Sequence, residues 1–462
     1  MPRPYTPRVL APSKKPPAPG RSRLDTTLAT LGLTFVAVVL AAVASQGTIP
    51  LIVAGVAAVY VLLLALIGRE RTAIFTLMGA FATAPMYKGL APSASSLITA
   101  TDGLVALGVL LLLPSLFNKR VQMPGIFGLG VVIVWVMSCI ASVASADPSK
   151  SGMTMILWLG VMAGLPTIIA MWEPSDFVVD LLCWCYVFGQ MVSFAYAMYY
   201  GPSDQGRYGG LATHPNYFAQ GGLIAFCVLL YLFYRHKITW VRVVAVGAGV
   251  ICGASIYLSG SRAAMMVAAV IILMVPVVER SAIMGFIYAI CGALFVIAIP
   301  ILVDISGETS SLGRLVGGSN SNFSDQAREL GQQSGIERFL SHPFIGTGLI
   351  DLFEIHNMYL EIAAAIGVFG LVGYLLIIFV FARPLFSDVP HRRLLYVAWA
   401  FIGFGATVPG FYDRSIWLPL ALGAVAVMEY RRTTPWFLSG RPAGAPPMAL
   451  APSGAVPGKA DR

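Results

Sequence analysis

Long apolar runs alternate with short polar segments along most of the chain. We count about fourteen such runs, and most are long enough for a helix of about 20 residues to cross the hydrocarbon core of a bilayer. The pattern predicts an all-α polytopic membrane protein with about 12–14 transmembrane helices, the lower number applying if the short runs do not span. The runs cover residues 26–46, 48–67, 72–87, 101–117, 124–146, 152–172, 177–200, 215–234, 239–259, 262–278, 282–304, 357–382, 394–410 and 415–430.

Composition supports the same class. Of the 462 residues, 57% are hydrophobic and 11% are charged, whereas soluble domains carry about 25% charged residues. The basic residues behind the formal net charge of +9 lie between apolar runs and do not form a patch on a soluble fold. These values exclude a soluble enzyme, a disordered protein and a DNA-binding domain. Membrane lipids are therefore expected partners, and nucleic acid is not.

The two ends of the chain differ from its apolar middle. Residues 1–25 are basic and rich in proline, without the apolar centre and cleavage site of a signal peptide. Residues 431–462 form a second segment rich in alanine, glycine and proline. We interpret both as disordered cytoplasmic tails on either side of a single transmembrane domain, residues 26–430.

The distribution of lysine and arginine predicts the orientation of the chain. With the N-terminus inside, 22 of the 30 basic residues fall in cytoplasmic segments, which is the usual bias. The longest loop, 305–356, then lies outside, before the third-last helix. Polar chemistry is thus concentrated in residues 201–382 on the extracytoplasmic face. The eight outside cations are Lys88, Lys150, Arg207, Arg262, Arg314, Arg328, Arg338 and Arg414.

The cysteines do not form a recognisable metal or redox motif. All six lie inside apolar runs, without a C-x-x-C pair, so we interpret them as packing or lipid-facing residues. No metal site is expected.

The first candidate motif, residues 206–216, has the sequence GRYGGLATHPN. Its glycines would let the backbone and the guanidinium of Arg207 approach a ligand closely. The proline after His214 favours the first position of a helix, where His214 or Thr213 can act as the cap and Asn216 follows. The alternative is a solvated arginine in a loop that only starts a helix.

The second motif, residues 258–262, has the sequence LSGSR and separates two apolar runs that almost touch. Arg262 therefore lies at the outer edge of the membrane, next to Ser261, at the start of a helix. An arginine there could simply extend its side chain to the lipid headgroups. The positive-inside tendency disfavours an outside arginine at so tight a turn, which favours a functional role.

The third motif, residues 337–348, has the sequence ERFLSHPFIGTG and includes Arg338. The preceding stretch, 325–340, is predicted to form a short amphipathic helix over the site. His342 and the proline after it predict a turn and the start of another helix. Arg338 could bind a ligand, or it could pair with a nearby glutamate and serve folding.

The fourth motif, HNMYLE, opens a membrane helix from the outer surface. His356 is its first residue, followed by Asn357 and Glu361. Histidine gains and loses a proton near neutral pH, so His356 could act as a general base. A lone histidine is nevertheless more often structural than catalytic.

Arginines and a histidine on one face suit a particular chemistry. Guanidinium groups bind phosphate through two hydrogen bonds, and a histidine can take the proton of a hydroxyl. The combination predicts a lipid diphosphate leaving group and a hydroxyl acceptor, with no metal to carry the charge.

The four motifs, in this order, resemble those of the O-antigen ligase and polymerase superfamily. The resemblance spans about residues 205–382. It implies a membrane glycosyltransferase of the GT-C type, which needs no cofactor. Such an enzyme moves a glycan from a polyprenyl diphosphate carrier to a hydroxyl of a lipid or glycan acceptor at the outer leaflet of the bacterial plasma (inner) membrane.

The resemblance also implies roles for individual residues. Arg207 and Arg262 match the arginines that bind diphosphate, with Arg338 in second place, and His356 matches the base. The supporting residues are expected to be His214, Asn216, Ser261, Asn357 and Glu361.

Three alternatives remain open at this stage. A ligase passes the glycan to a final acceptor, whereas a polymerase joins lipid-linked repeat units, and the motifs do not separate the two. A solute transporter would place charged residues or broken helices at the membrane midplane, where few ionisable residues occur here. A purely structural role is the third alternative.

Overall fold

The computed structural model of the protein describes residues 48–91, 96, 98–203, 206–306, 309–315, 321–350, 355–408, 410–411 and 413–434. Within these residues the chain is helical and contains no strand, which confirms the all-α class. The predicted tail at 1–25, the apolar run at 26–46 and all but the start of the tail at 431–462 lie outside the described residues.

The helices follow the apolar runs closely. In chain order they are α1 (Thr48–Ile67), α2 (Arg69–Thr83), α3 (Ala100–Leu116), α4 (Gly125–Ala144), α5 (Pro148–Trp172), α6 (Asp176–Tyr200), α7 (Pro215–Arg235), α8 (Thr239–Leu258), α9 (Arg262–Val278), α10 (Ala282–Ser306), α11 (Ser311–Leu315), α12 (Ser321–Ser341), α13 (Met358–Ala382), α14 (Tyr396–Gly405), α15 (Arg414–Leu422) and α16 (Ala424–Thr433). Short 3₁₀ turns join some of them, among which Ala84–Leu90 and Gly210–Ala212 belong to the site described below.

Seven of the described helices are long and apolar enough to cross a membrane, namely α4, α5, α6, α7, α8, α10 and α13. Shorter apolar helices occupy Ala54–Ile67, Ala100–Leu116 and Arg262–Val278. These findings confirm a polytopic membrane protein. The apolar run at 415–430 does not form one helix, because the chain is interrupted at Gly423 between α15 and α16.

The chain divides into two units, Met1–Thr72 and Ala73–Arg462. In the first unit, Gly68 adopts φ +81° between α1 and the start of α2, and its carbonyl accepts a hydrogen bond of 2.9 Å from the hydroxyl of Thr72. The second unit contains the helices from Ala73 onward and all four motifs.

Small residues let helices of the second unit pack closely. A Cβ added to Gly130 in α4 would lie 2.6 Å from the carbonyl oxygen of Gly373 in α13, so these helices touch backbone to backbone. Of the seven candidate spans, α7 is the most buried, whereas no residue in the most apolar stretch of α10 is buried. α7 therefore forms the centre of the unit, and the end of α7 that begins at Pro215 points to the site.

Ion pairs collect at the other end of α7. Arg235, at the end of α7, pairs with Asp176 of α6, and Arg393 pairs with Glu279. The ring of His391 contacts Glu429, with 2.7 Å between Nδ1 and Oε1. Residues that the charge pattern places on the same side thus meet in the structure.

Candidate functional site

Arg207 is held in a fixed position by two groups of the protein. Its Nε donates to the carbonyl oxygen of Ser259 over 2.7 Å, and its Nη2 donates to Oδ1 of Asn216 over 3.1 Å. The side chain is only 9% exposed. The first and second motifs, which are about fifty residues apart in sequence, therefore meet through this guanidinium.

Gly260 allows this contact because it has no side chain. Its φ is +66°, and an added Cβ would lie 3.0 Å from Nε of Arg207 and 2.6 Å from the carbonyl oxygen of Thr309. Next to it, the hydroxyl of Ser261 accepts from the backbone N–H of Ala264 and caps α9. Arg262 is the first residue of that helix, so the turn fixes its place at the site.

The long outer loop contributes an arginine that the motif analysis did not single out. Arg314, in the short helix α11, is buried, and its Nη1 donates to the carbonyl oxygen of Gly260 over 2.7 Å. The hydroxyl of Ser311 anchors α11 by donating to the carbonyl oxygen of Ile256 over 2.7 Å. The loop therefore covers the second motif and brings Arg314 beside Arg207.

His214 caps α7 and is one of the two cap candidates that the sequence offered, the other being Thr213. Its Nδ1 accepts a hydrogen bond of 3.2 Å from the backbone N–H of Asn216. The preceding Thr213 has φ +63°, which turns the chain into the helix. Asn216 is buried and also holds Arg207, so the first motif forms one connected unit.

His356 lies half-buried at the start of α13, with φ +52°. This left-handed conformation is unusual for a residue with a side chain and is common at functional sites. Asn357 caps the helix, since its Oδ1 accepts from the N–H groups of Tyr359 and Leu360, each over 3.1 Å. The rigid helix therefore holds His356 in place.

Glu361 lies one turn further into α13 and is 1% exposed. Its Oε2 accepts from the backbone N–H of Gly410 over 3.3 Å. It therefore connects α13 to the loop before α15.

The cations of these segments act on one another. Burial lowers the pKa of Arg207 to about 10, and Arg314, Arg328 and Arg262 add to the shift. Each neighbouring group that shifts this pKa is itself a cation. A guanidinium in such surroundings is stabilised by an anion.

The neighbouring cations also act on His214. Burial lowers the pKa of His214 to about 4, helped by Arg207, Lys88, His356 and Arg328. His214 and His356, which are 142 positions apart, are therefore close enough to interact. The structure thus brings Arg207, Arg262, His214 and His356 into one cationic region.

Lys88 comes from the first half of the chain, where the sequence offered no motif. Its Nζ lies 3.2 Å from the centroid of the Tyr217 ring, and burial lowers its pKa to about 8. A Cβ on Gly89 would lie 2.0 Å from the carbonyl oxygen of Leu211, so the two 3₁₀ turns are in direct contact. The only sequence signal was that Lys88 is an outside cation.

Asp413 and Arg414 approach the same region from the loop before α15. The hydroxyl of Tyr87 donates to Oδ2 of Asp413 over 3.1 Å, and both charged residues act on the pKa of Lys88. Arg414 makes a two-pronged pair with Asp102, at 2.7 and 2.9 Å. Neither acidic residue belonged to a motif.

The third motif forms hydrogen bonds to the backbone of α13 at a break in that helix. The N–H groups of Thr347 and Gly348 donate to the carbonyls of Ala364 and Ala365, where the helix breaks at Gly367 with φ +73°. A Cβ on Gly346 would lie 2.2 Å from the carbonyl oxygen of Ala365.

The structure corrects one local expectation in this motif. His342 begins a turn, as predicted, but no helix follows it, since the next described residues are irregular up to α13. The reason is that their N–H groups bond to the break in α13.

A helix is present over residues 325–340, as the C-terminal part of α12, but it is not clearly amphipathic, since its apolar residues Leu330, Ile336 and Leu340 are exposed. Of its arginines, Arg328 acts on both Arg207 and His214, whereas Arg338 is not among the cations that shift either pKa. The helix packs on the start of α13, because a Cβ on Gly335 would lie 2.7 Å from Ile355.

The cysteines are all free thiols, in agreement with their predicted packing role. Among the described residues, no group of three or more His, Cys, Asp and Glu side chains could hold a metal ion.

Comparison with known proteins gives one family. Residues 247–375 match the family described as O-antigen ligase, a segment that begins in α8 and ends in α13. It includes Arg262, Arg338 and His356, whereas Arg207 and His214 precede it. Comparison with curated proteins gives no match. Residues 247–375 are therefore similar to the O-antigen ligase family, which confirms the resemblance seen in the motifs.

Proposed function

We propose that the protein transfers a glycan from a polyprenyl diphosphate carrier to a hydroxyl acceptor during the assembly of a cell-surface polysaccharide. The observation that carries the proposal is the cationic region around Arg207, to which three other segments add Arg262, Arg314 and Arg328, and beside which His214 and His356 lie. An anionic substrate stabilises this concentration of positive charge.

The guanidinium groups hold the diphosphate in this proposal. Arg207 is already fixed by Ser259 and Asn216, so little side-chain entropy is lost when the substrate binds. Arg262, at the start of α9, binds the diphosphate together with Arg207, and Arg338 contacts it from further out. As the glycosidic bond breaks, negative charge grows on the leaving diphosphate, and the arginines offset it.

His356 is the proposed general base. It takes the proton of the acceptor hydroxyl while that oxygen attacks the anomeric carbon of the glycan. Asn357 caps the helix that carries it, and Glu361 ties the helix to the loop before α15. Asn216 holds Arg207 by accepting its hydrogen bond, and Ser261 caps the helix that begins with Arg262.

The arginines supply the positive charge that a divalent metal supplies in other transferases, so the reaction needs no metal or cofactor. The bias of lysine and arginine supports a bacterial plasma (inner) membrane protein with both termini in the cytoplasm and this site on the extracytoplasmic face. A ligase and a polymerase would use the same residues and differ only in the acceptor.

Purified protein in nanodiscs with the host's polyprenyl diphosphate glycans tests the proposal. We expect release of polyprenyl diphosphate and a larger glycan product, unchanged by a chelator. His356→Ala should lose turnover by about 100-fold or more while still binding the donor lipid. His342→Ala, an exposed histidine of the same outer loop, is the matched control and should keep full activity.

The outcomes are distinct. A product of joined repeat units identifies a polymerase, whereas transfer to an added lipid acceptor identifies a ligase. Equal activity of wild type and His356→Ala would remove His356 as the base. A folded wild-type protein that leaves the lipid-linked glycan unchanged, even with host lipids added, would overturn the proposal.

A further inference from the structure

His214 has a fixed tautomer. Its Nδ1 accepts a hydrogen bond of 3.2 Å from the backbone N–H of Asn216. A ring nitrogen that accepts a hydrogen bond carries no hydrogen of its own, so in the neutral ring the hydrogen is on Nε2. The cap of α7 therefore determines which nitrogen of His214 can donate.

Desolvation and the neighbouring charged groups together keep the ring of His214 neutral. Arg207 faces it from the first motif, Lys88 from the turn Ala84–Leu90, His356 from α13 and Arg328 from α12. The pKa of the ring, lowered to about 4 mainly by desolvation, keeps it uncharged at neutral pH. The ring of Tyr217 lies 5.5 Å away, edge to face, and brings no charge.

The second ring nitrogen remains available to a ligand. Within the part of the chain that the structure describes, the bond at Nδ1 is the ring's one hydrogen bond to the protein. Protein atoms surround and partly desolvate the ring of His214, yet more of this residue is open to solvent than of the buried Arg207 and Asn216 beside it. An exposed N–H group inside a cationic region is suited to an anionic oxygen.

We propose that the Nε2–H group of His214 donates a hydrogen bond to an oxygen of the donor's diphosphate. This inference rests on the function proposed above and adds a neutral donor to the arginines. His214 keeps its hydrogen and transfers no proton, so its role differs from that of His356. A neutral donor fixes the orientation of the phosphate without adding to the repulsion among the cations.

Two substitutions separate this role from helix capping. His214→Ser keeps an oxygen that can cap α7, since serine is among the best capping residues. It removes the ring N–H, because the serine hydroxyl lies too close to the backbone to reach the position of Nε2. His214→Gln places an amide N–H at a comparable reach and retains an oxygen for the cap.

The experiment measures binding of a polyprenyl diphosphate without glycan to the full chain in nanodiscs. We expect His214→Ser to weaken binding about ten-fold and His214→Gln to stay within about three-fold of wild type. Both variants should have the thermal stability of wild type, because the cap is retained. If His214→Ser binds as wild type does, His214 is only a helix cap and the inference is wrong.

A pH series distinguishes a neutral donor from an imidazolium. The ratio of wild-type to His214→Ser affinity should stay constant between about pH 6 and about pH 8, because the ring does not titrate there. A ratio that grows as the pH falls would overturn the inference. If wild type itself does not bind the lipid, the proposed function fails, and the inference fails with it.

Discussion

At the residue scale, the site depends on side chains that the protein itself already holds. Arg207 donates to Ser259 and Asn216, Arg314 donates to Gly260, and His214 caps α7. These bonds fix the cations before a substrate arrives. A substitution that keeps the charge but changes the geometry should therefore be harmful.

Arg207→Lys tests this requirement. Lysine carries a single compact charge on one nitrogen, whereas Arg207 contacts Ser259 and Asn216 through two separate nitrogens and keeps further N–H groups for a phosphate. We expect glycan transfer to fall about 10-fold to 100-fold, nearly as far as in Arg207→Ala, since hydrogen bonds to charged groups contribute about 1.5–3 kcal/mol. The initial rate of polyprenyl diphosphate release measures the effect.

Arg120→Lys is the matched control, because Arg120 is exposed and belongs to the predicted cytoplasmic segments. It should keep wild-type activity. Full activity in Arg207→Lys would argue against two-pronged binding of the phosphate.

Lys88 should make donor binding depend on pH. Burial lowers its pKa to about 8, opposed by Asp413 and assisted by Arg414. Below that pH the side chain is a cation that favours an anionic ligand, and above it the charge is lost. Affinity for the donor should therefore fall as the pH rises from about 7 to about 9.

The control is Lys88→Arg, which remains charged over this range. Its affinity should change less with pH than that of wild type, in the same binding assay. An identical pH profile for the two proteins would show that Lys88 does not contribute to binding.

At the element scale, the break in α13 is the feature that shapes the site. Ile366 and Gly367 leave the helical conformation, and the loop 343–348 bonds to the backbone exposed there. The break separates the outer part of α13, which carries His356 and Glu361 at its start, from the part that packs on α4. The third motif is therefore explained by helix geometry.

Gly346→Ala should destabilise the protein. The added Cβ would lie 2.2 Å from the carbonyl oxygen of Ala365, and φ at this position is +74°. We expect a loss of about 1–3 kcal/mol in the free energy of unfolding, seen as a lower melting temperature in detergent.

Gly128→Ala is the matched control within α4, because no atom lies within 4 Å of the added Cβ. Its melting temperature should be unchanged or slightly raised, since alanine favours a helix over glycine. Equal melting temperatures for Gly346→Ala and wild type would mean that the loop does not support α13.

At the scale of the whole molecule, the site is built from segments far apart in sequence. The turn Ala84–Leu90, the first motif, the second motif and the outer loop contribute cations, and the chain before α13 contributes His356. The loop before α15 adds Asp413 and Arg414. The pair of Arg414 with Asp102, at the start of α3, joins the two halves of the sequence.

The Asp102–Arg414 pair should be strongly coupled. The side chains are 14% and 5% exposed, so removing one leaves a nearly buried charge without its partner. We expect Asp102→Ala to cost about 3–5 kcal/mol of stability. The double variant Asp102→Ala with Arg414→Ala should cost less than the sum of the two single variants.

Chemical or thermal unfolding in detergent measures the free energy of unfolding of the wild type, the two single variants and the double variant. Asp388→Ala, which removes an exposed partner of Arg280, is the control and should cost less than about 1 kcal/mol. Additive effects of Asp102→Ala and Arg414→Ala would show that the pair does not join the two halves.

Much of this architecture could be predicted from the sequence. Most apolar runs within the described residues correspond to helices, although the run at 415–430 is interrupted at Gly423. The agreement arises because a bilayer-spanning helix must satisfy its backbone internally over a fixed length. The motifs led to the prediction of Arg207, Arg262, His214 and His356 as site residues, because those residues stand out at the polar ends of apolar runs, and their roles stay predictions. His214 was one of the two cap candidates that local sequence offered for α7, whereas the caps at Ser261 and Asn357 were seen only in the structure.

Other features could not be predicted, because they depend on contacts between distant segments. None of the four motifs contains Lys88, Arg314 or Arg328. Only packing places these residues beside Arg207 and His214. The low pKa of His214 is likewise set by desolvation and by charges from four other segments. Local sequence thus determined the class, the helices and the helix caps, whereas tertiary structure decided which cations share one site, since electrostatic forces act across space irrespective of position in the chain.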